Sequence, residues 1–161
     1  MKSVAVISDT HGNRAAIEKI LPVLLRCDYV FHLGDGLSDM KPFERELGER
    51  LVTVKGNCDA VCAEKTRLLE IEGKRIMLTH GDLYGVKYDF GRISFAAREN
   101  RADAVFFGHS HTATVIEEGG VIFANPGTMA RTAVEKSYMF VSVTGDKIKC
   151  TINRAAFFGE A

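Results

Sequence analysis

Short apolar runs recur along the chain, and most of them end in a polar, glycine-containing motif. Val4 to Ser8 is such a run and predicts a buried strand. Asn13 to Leu25 follows with Ile17, Ile20, Leu21 and Leu24 at helical spacing, the stripe of an amphipathic helix. Pro22 sits inside it, which predicts a bent or shortened helix. Tyr29 to Leu33 is a second strand, Ser38 to Leu47 a weaker helix, and Leu51 to Val54 a third strand. The β-α-β-α-β order predicts a parallel sheet with helices against it.

The pattern changes in the second half. Leu68 to Ile71 and Ile76 to Thr79, joined at Gly73-Lys74, predict a hairpin feeding a buried strand. Gly91 to Asn100 places Ile93, Ala96, Ala97 and Asn100 along a helix. Ala104 to Phe107, Thr114 to Glu117 and Val121 to Ala124 predict strands, the last two joined at Gly119-Gly120. Tyr138 to Val143 and Lys147 to Ile152 form a closing hairpin around Gly145-Asp146. An α/β front and a mostly antiparallel back predict two mixed sheets packed face to face, with helices outside. No repeat or linker divides the chain, so residues 1–161 read as one domain.

Charge narrows the field of partners. Lys plus Arg equals Asp plus Glu, at 21 each, and no basic run is present. That argues against nucleic acid or an anionic membrane as the main partner. No apolar stretch is long enough for a membrane span or a signal peptide. Cys27, Cys58, Cys62 and Cys150 are scattered, with no second pair to complete a zinc site. A cytoplasmic protein with free thiols is expected.

The chemistry gathers at the strand ends. Asp9-Thr10-His11-Gly12 follows the first strand, Gly34-Asp35 the second, and Gly56-Asn57-Cys58-Asp59 the third. His80-Gly81-Asp82 and Gly108-His109-Ser110-His111 follow two later ones. Each alone is an ordinary turn. Together they hold four of the five histidines in the chain. Open α/β sheets bind ligands beyond the carboxyl ends of their strands, so the motifs should converge. Imidazole, carboxylate and amide oxygen make a mixed nitrogen/oxygen donor set. It suits manganese, iron(II), zinc, cobalt or nickel better than calcium. In an extended segment Asp9 and His11 project to one side and bind one cation together.

The ordered series Asp-x-His, Gly-Asp, Gly-Asn-x-Asp, His, Gly-His-x-His resembles the calcineurin-like metallophosphoesterases. Gly-Asn-Cys-Asp and the later Asn125-Pro126-Gly127-Thr128 resemble the small YfcE-type phosphodiesterases of bacteria and archaea. The resemblance runs from Asp9 to about Thr128. It implies a β-sandwich of two mixed sheets flanked by helices, the metallophosphoesterase fold. It implies that Asp9, His11 and His111 hold one metal, that Asn57, His80 and His109 hold a second, and that Asp35 bridges both. Manganese is the expected ion. A hydroxide shared by the two ions then attacks phosphorus, with Asp35, Asn57 and Cys58 at the reacting centre. The substrate is a small phosphodiester, and a homodimer or homotetramer is implied. The same core also serves phosphomonoesterases and nucleotidases, and the retromer subunit of this fold is a non-catalytic scaffold. Against the scaffold stands a complete ligand set.

Several neighbours read differently. His32 is expected to be a satisfied core histidine. Asp59 either orients the site or caps a turn, and Asp39 and Asp82 are expected in turns or at the surface. Asn125 either helps place the site or only shapes its turn. Arg131 is expected to be solvated. Many family members carry His where this chain has Cys58, beside the leaving group, so leaving-group protonation is the step in which this chain should differ.

Overall fold

The structure is a computed structural model, and it describes residues 1–154. Residues 155–161 of the expected domain lie outside that range. The first strand, β1 (Lys2–Ile7), shows why its sequence does not alternate. Val4 and Val6 face one apolar core and Ala5 and Ile7 another, and all four are fully buried. A strand covered on both faces is a continuous apolar run.

Two five-stranded sheets pack face to face. The first has the order β10-β9-β1-β2-β3. In it β1, β2 (Tyr29–His32) and β3 (Leu51–Thr53) are parallel. β9 (Tyr138–Val143) runs antiparallel to β1, and β10 (Ile148–Asn153) antiparallel to β9. The second sheet has the order β4-β5-β6-β8-β7. Here β5 (Lys74–Thr79), β6 (Ala104–Phe106) and β8 (Val121–Asn125) are parallel. β4 (Thr66–Ile71) and β7 (Thr114–Glu118) are its antiparallel edges. Val4, Val6, Phe31, Leu78, Phe106 and Met139 fill the space between the sheets.

Helices cover the outer faces. α1 (Arg14–Arg26) lays Ile17, Ile20 and Leu24 on the first sheet. α3 (Gly91–Glu99) lays Ile93, Ala96 and Ala97 on the second. Among the described residues no helix is long and apolar enough to cross a membrane.

Most pairings of the back half are antiparallel, as expected; the exceptions are β5 with β6, which run parallel because α3 provides the crossover, and β6 with β8. The structure corrects three local expectations. Pro22 does not shorten α1, which continues to Arg26 because buried Leu24 anchors its last turn and Pro22 itself is exposed. The segment expected as a helix over Ser38 to Leu47 is a 3-10 stretch, Leu37–Phe43, followed by the single turn α2 (Glu44–Leu47). Asn100 ends α3 rather than extending its stripe, its Nδ2 donating to the Ala96 carbonyl at 2.8 Å.

Candidate active site

The loops that leave β1, β2, β3, β5 and β6 meet at the carboxyl ends of their strands. His111 Nε2 lies 3.1 Å from Asp9 Oδ1, and His11 Nε2 lies 3.7 Å from the same oxygen. His80 Nε2 lies 3.2 Å from Asp35 Oδ2 and 3.1 Å from His109 Nδ1. Asp35 Oδ2 is also 3.8 Å from His11 Nε2, so this carboxylate stands between the two sets. Asp9, His11 and His111 form one group whose donor atoms all lie within 4.8 Å of one another, and Asp35, His80 and His109 form another. Cys58 joins His11 and Asp35 in a third. Asn57 is exposed at the adjoining loop, with Nδ2 3.6 Å from Cys58 Sγ.

The donor set fits metal cations on the atoms' own terms. Asp9 is fully buried and its Oδ1 has no hydrogen-bond partner, with His111 Nε2 3.1 Å away as a neighbouring imidazole. A buried ionised oxygen left bare is costly unless a cation compensates it. His80 makes the same point. Its Nδ1 lies 2.7 Å from the Leu33 carbonyl, which can only accept, so Nδ1 carries the proton. The Nε2 lone pair therefore faces the Asp35 carboxylate. Fixing a ligand histidine through its other nitrogen is how metal sites orient imidazole.

The sequence profile of the calcineurin-like phosphoesterase superfamily domain matches residues 1–146. The chain belongs to this family. The chain is 32% identical over 152 residues to the probable metallophosphoesterase YsnB of Bacillus subtilis, a match covering 93% of this chain and 88% of that one. Among solved structures, a predicted phosphoesterase from Streptococcus pneumoniae superposes with a TM-score of 0.79 at 28% identity, covering 94% of this chain and 88% of that one. A zinc complex of Vps29 from Entamoeba histolytica (TM-score 0.78, 23% identity, 95% and 98% covered) shares the fold. So does an archaeal phosphodiesterase (TM-score 0.77, 20% identity, 94% and 99% covered).

The metallophosphoesterase loops reach their geometry through strained backbone. Asp9, His11, Asp35, His109 and His111 all have positive φ, between 41° and 69°. Non-glycine residues rarely adopt this conformation, and it persists where surrounding structure imposes it. Asp9 and His11 thus do not converge by the alternation of an extended strand. β1 has ended at Ile7, and two left-handed residues turn both side chains inward. Two glycines allow close approach without any unusual φ of their own. A Cβ on Gly56 would stand 2.2 Å from Asp35 Oδ1, and one on Gly108 2.6 Å from Asp9 Oδ2.

Buried polar residues hold the loops that carry these motifs. Ser8 Oγ donates to Asp9 Oδ2 at 2.6 Å, and the His109 amide donates to the same oxygen at 3.0 Å. Burial acts to raise the Asp9 pKa, but His111, His80 and the Ser8 hydroxyl outweigh it and hold the carboxyl below its ordinary range. Thr128 Oγ1 donates to the Asp9 carbonyl at 2.8 Å. Asn125 is buried, donating to the Gly108 carbonyl and Ser110 Oγ and accepting from the Gly127 amide, so its turn also supports the histidine loop.

His32 is a satisfied core residue. Its Nδ1 accepts from the Gly34 amide at 3.1 Å and its Nε2 meets Thr10 Oγ1 at 3.0 Å. Thr10 donates onward to Asp39 Oδ2 at 2.6 Å, and that oxygen also accepts the Gly12 amide. Asp39 is therefore buried, contrary to a surface expectation, because it terminates this chain of hydrogen bonds beneath the Asp9–His11 loop. Asp82 opens a single 3-10 turn, and Arg131 is exposed. Ser8 and Thr128 were not predicted as supports. Ser8 precedes the first motif and Thr128 ends the Asn125-Pro126-Gly127-Thr128 one, which is their only signal.

Proposed function

We propose that this metallophosphoesterase is a phosphodiesterase that works with two divalent cations, manganese being the best-matched ion. The observation that carries the proposal is the bare, buried Asp9 Oδ1 in a ligand cluster that Asp35 divides into two groups. In this reading Asp9, His11 and His111 hold one ion, Asn57, His80 and His109 the other, and Asp35 contacts both. When bound, such ions neutralise phosphoryl oxygens and make water a nucleophile near neutral pH. The chain's own residues set the stage for this. Cys58 N–H donates to Asp35 Oδ1 at 2.8 Å, which keeps Oδ2 turned to the histidines. The Leu33 carbonyl keeps the His80 Nε2 lone pair aimed at the site.

The diester preference rests on two depressions that flank the cluster. One, of about 420 Å³, is lined by His111, Thr112, Thr128 and Ala130 among others. The second, of about 290 Å³, is lined by His11, Asp35, Cys58, Ala60 and Val61 among others. A phosphoryl group over the ligands has room for an ester arm on each side, and a monoester fills only one. Burst-free steady-state rates on bis-aryl diesters and aryl monoesters, with metal analysis of the same samples, test this. We expect two ions per chain, turnover abolished by chelator, and better rescue by manganese than by calcium, whose oxygen preference the histidines do not meet. A higher kcat/KM on monoesters would reassign the enzyme as a monoesterase. Absence of both metal and turnover would favour a scaffold.

A further inference from the structure

The proposed ligands offer nitrogen and oxygen, but Cys58 brings sulfur to the same place. Its Sγ, a His11 ring nitrogen and an Asp35 carboxylate oxygen all lie within 4.8 Å of one another. The thiol is exposed whereas Asp35 is buried, so an ion approaches the group from the side of the sulfur. The position is fixed by backbone: Cys58 N–H donates to Asp35 Oδ1, which ties the sulfur to the carboxylate that it neighbours. Next to this group, Asp9 Oδ1 lies 3.7 Å from His11 Nε2, fully buried and without a hydrogen-bond partner. It adds a buried negative charge, shared with His111 Nε2 at 3.1 Å, that favours a cation beside His11.

We propose that Cys58, His11 and Asp35 form an alternative binding position, overlapping the working centre, for a thiophilic divalent cation such as zinc or cadmium, and that filling it inhibits the enzyme. The proposal rests on the reading of His11 and Asp35 as ligands of the working centre. One sulfur, one nitrogen and one oxygen leave a fourth tetrahedral position open, an arrangement that zinc accepts. Soft sulfur selects zinc-like ions over manganese, for which it is a poor partner. Coordination takes the sulfur as thiolate and releases its proton to solvent. An ion held there draws on His11 and on Asp35, the carboxylate that both working ions need. A manganese-loaded enzyme exposed to zinc or cadmium therefore loses its shared ligand.

Cobalt(II) titration of the full chain tests the position without relying on turnover. Wild type, Cys58→Ser and Cys62→Ser are compared, since Cys62 is also exposed. We expect a near-ultraviolet sulfur-to-cobalt charge-transfer band in wild type and Cys62→Ser and none in Cys58→Ser, with visible d–d absorption in all three. Changes outside a metal's direct ligands already cost about 10–100-fold in affinity. Cys58→Ser should therefore need at least about tenfold more cadmium for half-inhibition of its own manganese-dependent rate. Visible absorption with no charge-transfer band in wild type, or a band that survives in Cys58→Ser, would overturn the proposal. Loss of visible absorption from all three proteins would remove the two-cation reading and this proposal with it.

Discussion

Asp35 and Asp59 hold each other's loops. Asp59 Oδ2 accepts the backbone N–H of Asp35 at 2.8 Å, and Asp35 Oδ1 accepts the backbone N–H of Cys58, beside Asp59, at 2.8 Å. The Asp59 carboxylate also takes the amides of Gly36, Leu37 and Gly56. The loops after β2 and β3 are thereby locked together, and the shared carboxylate of the cluster is held between them.

Asp59→Ala frees four backbone amides, three of them beside the site. An unsatisfied amide costs about 1–3 kcal/mol when buried, and water reaches these in part, so we expect a loss of about 2–3 kcal/mol in denaturant unfolding. Burial opposes ionisation of Asp59, but the four amides outweigh it and hold its carboxyl below the ordinary range. Its stabilisation is therefore complete above the unfolded pKa of about 3.9 and fades as pH falls through the lower folded value. Wild type and variant should converge in acid. A stability gap that is constant from pH 7 down to pH 3 would contradict the role of the charge.

Asp35→Asn tests the sharing of one carboxylate. An amide keeps the shape and loses the negative charge. If Asp35 bridges as proposed, elemental analysis should find both ions reduced, and turnover should fall by at least about 10²-fold. Full metal occupancy with normal rates would show that Asp35 does not bridge.

His32 supplies a pH dependence of a different origin. Burial holds its pKa down, to about 4. Between that value and the unfolded value of about 6.5 the unfolded chain binds more protons, so stability falls as pH drops through this window and is fully present above it. The loss approaches about 3 kcal/mol by pH 4. His32→Asn lacks this titration. Its melting temperature, lower at neutral pH, should fall less steeply between pH 6.5 and pH 4 than that of wild type. Parallel slopes for the two proteins would refute the assignment.

Cys58→His addresses leaving-group departure. Cys58 lines the cavity on the Asp35 side, and its thiol is pushed above its ordinary pKa by desolvation and then by the Asp35 carboxylate. A neutral thiol is a weak proton donor to a departing alkoxide. A positioned general acid contributes about 10²–10⁴-fold when the leaving group is basic and little when it is a nitrophenolate. The variant should gain on alkyl diesters selectively. An equal loss on both classes, with both metals still bound, would place Cys58 away from the leaving group.

The chain's apolar runs by themselves determined most strands, because a strand buried on both faces must be apolar throughout, as Val4 to Ile7 is. The strand-end motifs by themselves determined which residues are candidates: Asp9, His11, Asp35, His80, His109 and His111 are the groups that the fold brings together. What spacing along the chain does not encode is which strands pair. β9 lies beside β1 because the closing hairpin covers an apolar edge of the first sheet, a contact between opposite ends of the sequence. Nor does it encode backbone strain. The left-handed turns at Asp9, His11, Asp35, His109 and His111 lie in loops held from outside, by Thr128 on the first, by Asp59 on the second and by Asn125 on the histidine loop. The buried roles of Asp39 and Asn125 were decided the same way: a polar residue in a turn becomes structural only when a distant loop presents the groups that satisfy it.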